Sequence, residues 1–145
     1  METIFKNVHT TKDLTISGIV FIAGICLLFI NAGLGVFFTI MGVAMLCIFR
    51  KGYKKNGQGT LLTRQSEEIC MECKASLIDF LNGKDVKPEI KKGNCGGTIR
   101  LDAYFNKAEG LAYIQLFEYR NYTYEPLTEV VELHSPKAEI IVSQL

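Results

Sequence analysis

Residues 14–49 read LTISGIVFIAGICLLFINAGLGVFFTIMGVAMLCIF, thirty-six positions without Asp, Glu, Lys, Arg or His. As one helix this run would measure about 54 Å at about 1.5 Å per residue, well beyond a hydrocarbon core of about 30 Å. Asn31-Ala32-Gly33 at its middle is the polar, turn-forming break. The run therefore predicts two helices, residues 14–30 and 33–49, folded back at 31–33 as a transmembrane hairpin.

Working outward, the flanks give an orientation. Lys6 and Lys12 precede the run, and Arg50, Lys51, Lys54, Lys55 and Arg64 follow it, whereas the turn carries no cation. Basic residues at membrane ends stay on the cytoplasmic side. Both termini are expected there, at the cell inner (plasma) membrane, with the turn outside. Arg50, Lys51, Tyr53, Lys54 and Lys55 read as a membrane-interface anchor that attracts anionic headgroups. A cleaved signal peptide is not expected, because the apolar run continues past the small residues 31–33. Nor is lipidation at Cys26, since the small residues of Ala23-Gly24-Ile25 are one place out of step. Asn121-Tyr122-Thr123 matches a glycosylation sequon, which a cytoplasmic segment would never present to the machinery.

Residues 1–13 form a short polar segment in which Ile4, Phe5 and Val8 can line one face of an interfacial helical turn. Residues 50–60 read as a basic juxtamembrane linker, and residues 61–145 as a cytoplasmic α+β domain. Within that domain, 66–82 has Ile69, Cys73, Leu77, Phe80 and Leu81 at helical spacing, with Ser66 as N-cap and Gly83 past the last turn. From Thr98 the period becomes two. Ile99, Leu101, Ala103 and Phe105 alternate with polar neighbours, and 111–119 forms a second strand. Residues 128–134 and 138–143 read as two further strands. The fold class is thus a two-helix transmembrane α-hairpin followed by one helix and an antiparallel meander of about four strands.

Small residues mark helix packing inside the hairpin. Ser17 and Gly24 are seven apart, and Gly35, Thr39 and Gly42 follow at i, i+4 and i+7. Such residues let backbones approach closely in lipid, either within the hairpin or between copies. The span holds no ionisable side chain, which argues against a proton relay or a charged ion path.

Candidate chemistry is sparse. Cys70-Met71-Glu72-Cys73 is a lone C-x-x-C pair that Cys95 and His134 can extend to four metal ligands. It sits in a predicted helix without a second pair, so free thiols in a reducing compartment are the expectation, with no metal and no cofactor. Cys95 with His134 as nucleophile and base is a chance-level pairing. No phosphate loop, G-x-S-x-G or H-E-x-x-H occurs, and no catalytic residue is assigned. The net charge of +1 in 145 residues gives no reason to expect nucleic acid.

The strand region is rich in aromatic residues. Tyr104, Tyr113 and Tyr119 with Arg100 and Arg120 are the expected ligand or partner contacts, although tyrosine is also simply a strand former. The expected function is a non-enzymatic, membrane-tethered binding or regulatory module for a protein or small ligand. The partners are the bilayer and a membrane protein or a second copy. The alternative is a membrane-active or accessory subunit that oligomerises through its hairpin, as a pore or part of a larger complex. A third reading is a cysteine-based redox or metal sensor.

Overall fold

The computed structural model describes residues 4–93 and 98–145, which divide into one unit ending at Leu61 and a second from Leu62 to Leu145. The first unit runs β1 (Phe5–Val8), α1 (Thr11–Leu28), α2 (Ala32–Ile48) and β2 (Gly52–Lys55). It is a helical hairpin closed at its open end by a two-stranded ribbon. β1 and β2 pair antiparallel, from Phe5 opposite Lys55 to Val8 opposite Gly52. The interfacial helical turn expected at Ile4, Phe5 and Val8 is therefore a strand, and the expected linker after Arg50 is its partner. Pairing between two distant segments settles their backbone hydrogen bonds where neither segment is long enough for a stable helix.

Side chains close the same end. Thr10 caps α1, its Oγ1 accepting from the Asp13 N–H at 3.1 Å, while Asp13 Oδ2 accepts from the Thr10 N–H at 3.0 Å. That carboxylate oxygen also accepts from the Lys51 N–H at 3.2 Å, and His9 Nδ1 lies 2.8 Å from the Phe49 carbonyl. The start of α1 is thus tied to the exit of α2. Thr10→Ala is expected to lower the thermal stability of the detergent-solubilised protein by about 1 kcal/mol, the usual worth of an N-cap. At the closed end Asn31 Oδ1 accepts from the Leu34 N–H at 3.2 Å and starts α2.

The seam between the helices is made of small residues. Ser17, Gly24, Gly35 and Gly42 are buried. A Cβ at Gly24 would stand closer than 3.0 Å to the backbone of Thr39, one at Gly35 to Leu28, and one at Gly42 to Phe21. The pairs 24/39, 35/28 and 42/21 keep a constant sum, which is the register of antiparallel helices. Gly35, Thr39 and Gly42 therefore face α1 of their own hairpin. Thr39 Oγ1 donates back to the Gly35 carbonyl at 2.8 Å. Large apolar side chains point outward instead. Ile16, Ile19, Ile22, Phe37, Ile40 and Ile48 are all exposed. By length and composition α1, with 18 residues, is long and apolar enough to cross a membrane, whereas α2 is apolar but one residue shorter.

The second unit is α+β. It runs β3 (Thr63–Cys70), a 3-10 turn (Met71–Cys73), α3 (Lys74–Leu81), β4 (Thr98–Asn106), β5 (Leu111–Arg120), β6 (Thr123–Pro126), β7 (Val131–His134) and α4 (Lys137–Val142). The sheet is antiparallel in the order β3-β4-β5-β6, and β7 also pairs with β5. β6 occupies the Phe117–Arg120 half of β5 and β7 the Leu111–Ile114 half. One face carries the core. Ile69, Ile99, Leu101, Ala103, Phe105, Ala112, Ile114 and Leu116 pack with Leu77, Phe80 and Leu81 of α3 and with Ala138, Ile141 and Val142 of α4.

Three expectations fail here. The helix expected from Ser66 begins only at Lys74, and residues 63–70 are a strand paired with β4 from Thr63 opposite Phe105 to Cys70 opposite Thr98. Ser66 caps nothing and donates to Asp102 across the strands. Long-range pairing overrides a local helical spacing that Ile69 completed by coincidence. The strand expected at 138–143 is α4. Its β-branched composition suggested a strand, but Ala138, Ile141 and Val142 are buried at i, i+3 and i+4, a helical stripe. The strand expected from Thr128 starts at Val131, because the Thr128 hydroxyl turns back to accept from the Leu116 N–H at 3.1 Å.

Candidate functional site

Strand alternation puts a second set of side chains on the face of the sheet turned away from α3 and α4. These are Arg64, Ser66 and Glu68 of β3, Arg100, Asp102 and Tyr104 of β4, and Tyr113, Gln115, Phe117 and Tyr119 of β5. At its centre Asp102 is 1% exposed. Its carboxylate accepts from Ser66 Oγ at 2.6 Å and from Arg100 Nη2 at 3.4 Å, with Arg100 Nε in ion-pair contact at 3.0 Å and an Arg64 guanidinium nitrogen at 3.6 Å. A buried carboxylate needs such partners, since an unpaired charge there is costly. Gln115, cross-strand from Asp102, donates through Nε2 to the Thr128 carbonyl at 2.9 Å.

Arg100 is sandwiched. Its guanidinium carbon lies 4.6 Å from the Phe117 ring centroid and 4.5 Å from that of Tyr124. Tyr124 reaches over from β6 and donates its hydroxyl to Glu68 Oε1 on β3 at 2.9 Å. The guanidinium of Arg64 stands 5.7 Å from the Tyr104 ring. Cations over aromatic faces gain electrostatically, more so when partly desolvated.

The five expected contact residues are thereby divided. Arg100, Tyr104 and Tyr113 lie side by side on this face, with Tyr104 directly opposite Tyr113. Both tyrosines are buried. Tyr119 lies on the same face at the end of β5, half exposed and edge-on to Tyr124 at 5.2 Å. Beyond it Asn121 and Tyr122 both adopt positive φ, 49° and 66°, in a two-residue hairpin turn that leaves Tyr122 92% exposed. Arg120 belongs to the opposite face, paired with Glu118.

Glu118 also accepts from Lys74 Nζ at 2.7 Å, which fixes the start of α3 over β5. The Lys74 ammonium first, and then Arg120, hold the Glu118 carboxyl below its ordinary value of 4.5 against the opposing effect of burial. A carboxylate depressed on folding contributes stability that is complete above its unfolded value and is lost as pH falls through the folded one. The wild type is therefore expected to lose stability below about pH 4.5 more steeply than Glu118→Gln. Denaturant midpoints taken from pH 7 down to pH 3 would read this.

Among the described residues the C-x-x-C pair does not act as a unit. Cys70 is disulfide-bonded, and Cys73 is a free, buried thiol whose sulfur accepts from the Lys91 N–H at 3.4 Å. The two therefore do not bond to each other, and the expectation of five free thiols fails at Cys70. Cys95 lies outside the described residues. His134 pairs with Glu132 on β7, opposite Leu111, at the other end of the sheet from Cys70. Eight residues of β3 separate those ends by about 23 Å. Among the described residues no group of three His, Cys, Asp or Glu side chains converges on a point that could hold a metal ion.

Ser66, Glu68, Asp102 and Gln115 were not among the expected contacts. The signal for Asp102 was present, since alternation from Thr98 places it between Arg100 and Tyr104, but a lone Asp has no visible partner until β3 is known to be a strand. Comparison with protein-family models, curated proteins and solved structures finds no match to this chain.

Proposed function

We propose that the chain is a membrane-tethered binding module, with α1 and α2 crossing the bilayer as a hairpin and the α+β unit held at its cytoplasmic surface. The observation that carries this reading is the inside-out packing of the hairpin. Glycines and a serine fill the seam while isoleucines and phenylalanines face outward. Water would penalise that arrangement, and lipid removes the penalty, because lipid tails are as apolar as the side chains. Helices of 18 and 17 residues measure about 27 and 26 Å, close to one hydrocarbon core. The binding role draws on the exposed end of the sheet, where Tyr119 and Tyr122 offer rigid aromatic area with polar tips. Tethering concentrates such a surface where a membrane partner is met.

Two experiments test the reading. Membranes washed with alkaline carbonate should retain the full-length protein, and release into the supernatant would end the membrane assignment. For sidedness, thiol reagents that do not cross the membrane should reach a cysteine placed at Ala32 from outside and one placed at Gln58 only from the cytoplasm. The Cys70 disulfide weighs against that side, since disulfides persist in oxidising compartments, and the cytoplasmic reading requires Cys70 to be reduced in the cell. A persistent Cys70 disulfide in intact cells would reverse the orientation.

A further inference from the structure

We infer that the β1–β2 ribbon at the open end of the hairpin binds the phosphodiester headgroup of an anionic phospholipid, an inference that rests on the membrane reading above. The register sets Lys6 directly opposite Lys54. Directly opposed residues of an antiparallel pair share a face, and like charges there repel. Nothing within the ribbon relieves this. Lys6 is exposed and Lys54 half-buried, and among the described residues neither has a carboxylate within ion-pair reach. The nearby carboxylate of Asp13 faces two backbone N–H groups, those of Thr10 and Lys51.

The backbone around the pair is set by a tight turn. Asn56 and Gly57, at φ 53° and 80°, turn the chain directly after β2, and the Lys6 stem lies alongside Gly57. Charge over the whole chain is uneven. Up to Leu61 there are six Lys and Arg against two carboxylates, and from Leu62 onward ten against thirteen. The excess positive charge sits on the unit that carries the apolar helices. The ribbon begins within four residues of the end of α2, the depth at which headgroups lie if the hairpin spans the bilayer. A phosphate oxygen between two ammonium groups converts their repulsion into two charge-assisted hydrogen bonds. Lys6 and Lys54 come from opposite ends of the hairpin, so the site exists only once the hairpin has closed.

The test uses the full-length protein in nanodiscs of phosphatidylcholine containing phosphatidylglycerol, with lipid retained after delipidation measured by native mass spectrometry. The wild type is expected to retain phosphatidylglycerol several-fold over phosphatidylcholine. Lys6→Gln and Lys54→Gln should each bring retention close to parity. Lys12→Gln, which removes the same charge outside the ribbon, should leave most of the preference, and Lys6→Arg should keep it, showing that the glutamine variants lose charge rather than fold. Equal losses in all three glutamine variants, or no preference in the wild type, would overturn the ribbon site while leaving the membrane reading intact. Displacement of retained lipid by inorganic phosphate would make it a free-anion site and overturn the headgroup assignment. Release of the protein from carbonate-washed membranes defeats the membrane reading itself, and is read separately.

Discussion

Asp102→Ala is expected to destabilise the sheet unit by about 1.5–3 kcal/mol, the worth of hydrogen bonds to a charged group. The substitution takes the carboxylate from Arg100, whose partly exposed guanidinium lies against the rings of Phe117 and Tyr124. It also takes the acceptor from Ser66 and an ionic neighbour from Arg64. Against a typical domain stability of about 5–15 kcal/mol this is a large fraction. Denaturant unfolding of the full-length protein in detergent, followed by far-ultraviolet circular dichroism, reads the loss. Adding Arg100→Met should recover part of it, because the charge left without its carboxylate goes too and the apolar stem remains between the rings. A variant within about 0.5 kcal/mol of wild type would show that the cluster is not a stabilising centre.

Leucine at Gly24 or Gly42 is expected to separate the two helices. At either position even a methyl group would meet backbone, which cannot rotate away as a side chain does. Ordinary overpacking costs about 1–3 kcal/mol, and a clash with backbone across a seam belongs at or above the upper end. Gly18 is the matched control, since nothing lies within 4 Å of the position its Cβ would take. Disulfide trapping between cysteines placed in β1 and β2 would report the outcome. Gly18→Leu should trap as efficiently as wild type, and Gly24→Leu and Gly42→Leu should trap poorly. Equal trapping in all three would refute the seam.

These expectations show which parts of the fold a single sequence carries. The hairpin was legible because an uncharged run of that length admits few alternatives, and Asn31 marks its turn. β4 was legible because apolar and polar residues alternate through 99–105, and β5 because its aromatic and β-branched residues follow the turn directly after β4. β3 was not, since Thr63 to Glu68 is polar on both faces and becomes a strand only by pairing with β4. α4 was not, because Ile140, Ile141 and Val142 read as strand formers, and only the burial of Ala138 with Ile141 reveals the helical period. The ribbon was invisible for a simpler reason. Its strands have four residues each and lie more than forty positions apart. The candidate site was half legible. Arg100, Tyr104 and Tyr113 share one face as their spacing implied, but the residues that organise that face, Asp102 and Ser66, interact only across strands.

The antiparallel register of α1 and α2 limits how this chain can change length. Each seam glycine faces one backbone site across the hairpin, so a single insertion within α1 turns everything beyond it by about 100° and carries Gly24 or Ser17 out of line. Relatives that diverge in length here should do so at the Asn31 bend, outside the helices, or by about seven residues, two turns, which nearly restores the facing positions. Deletion scanning would look for the same periodicity, with tolerated lengths recurring at whole turns and failures between them.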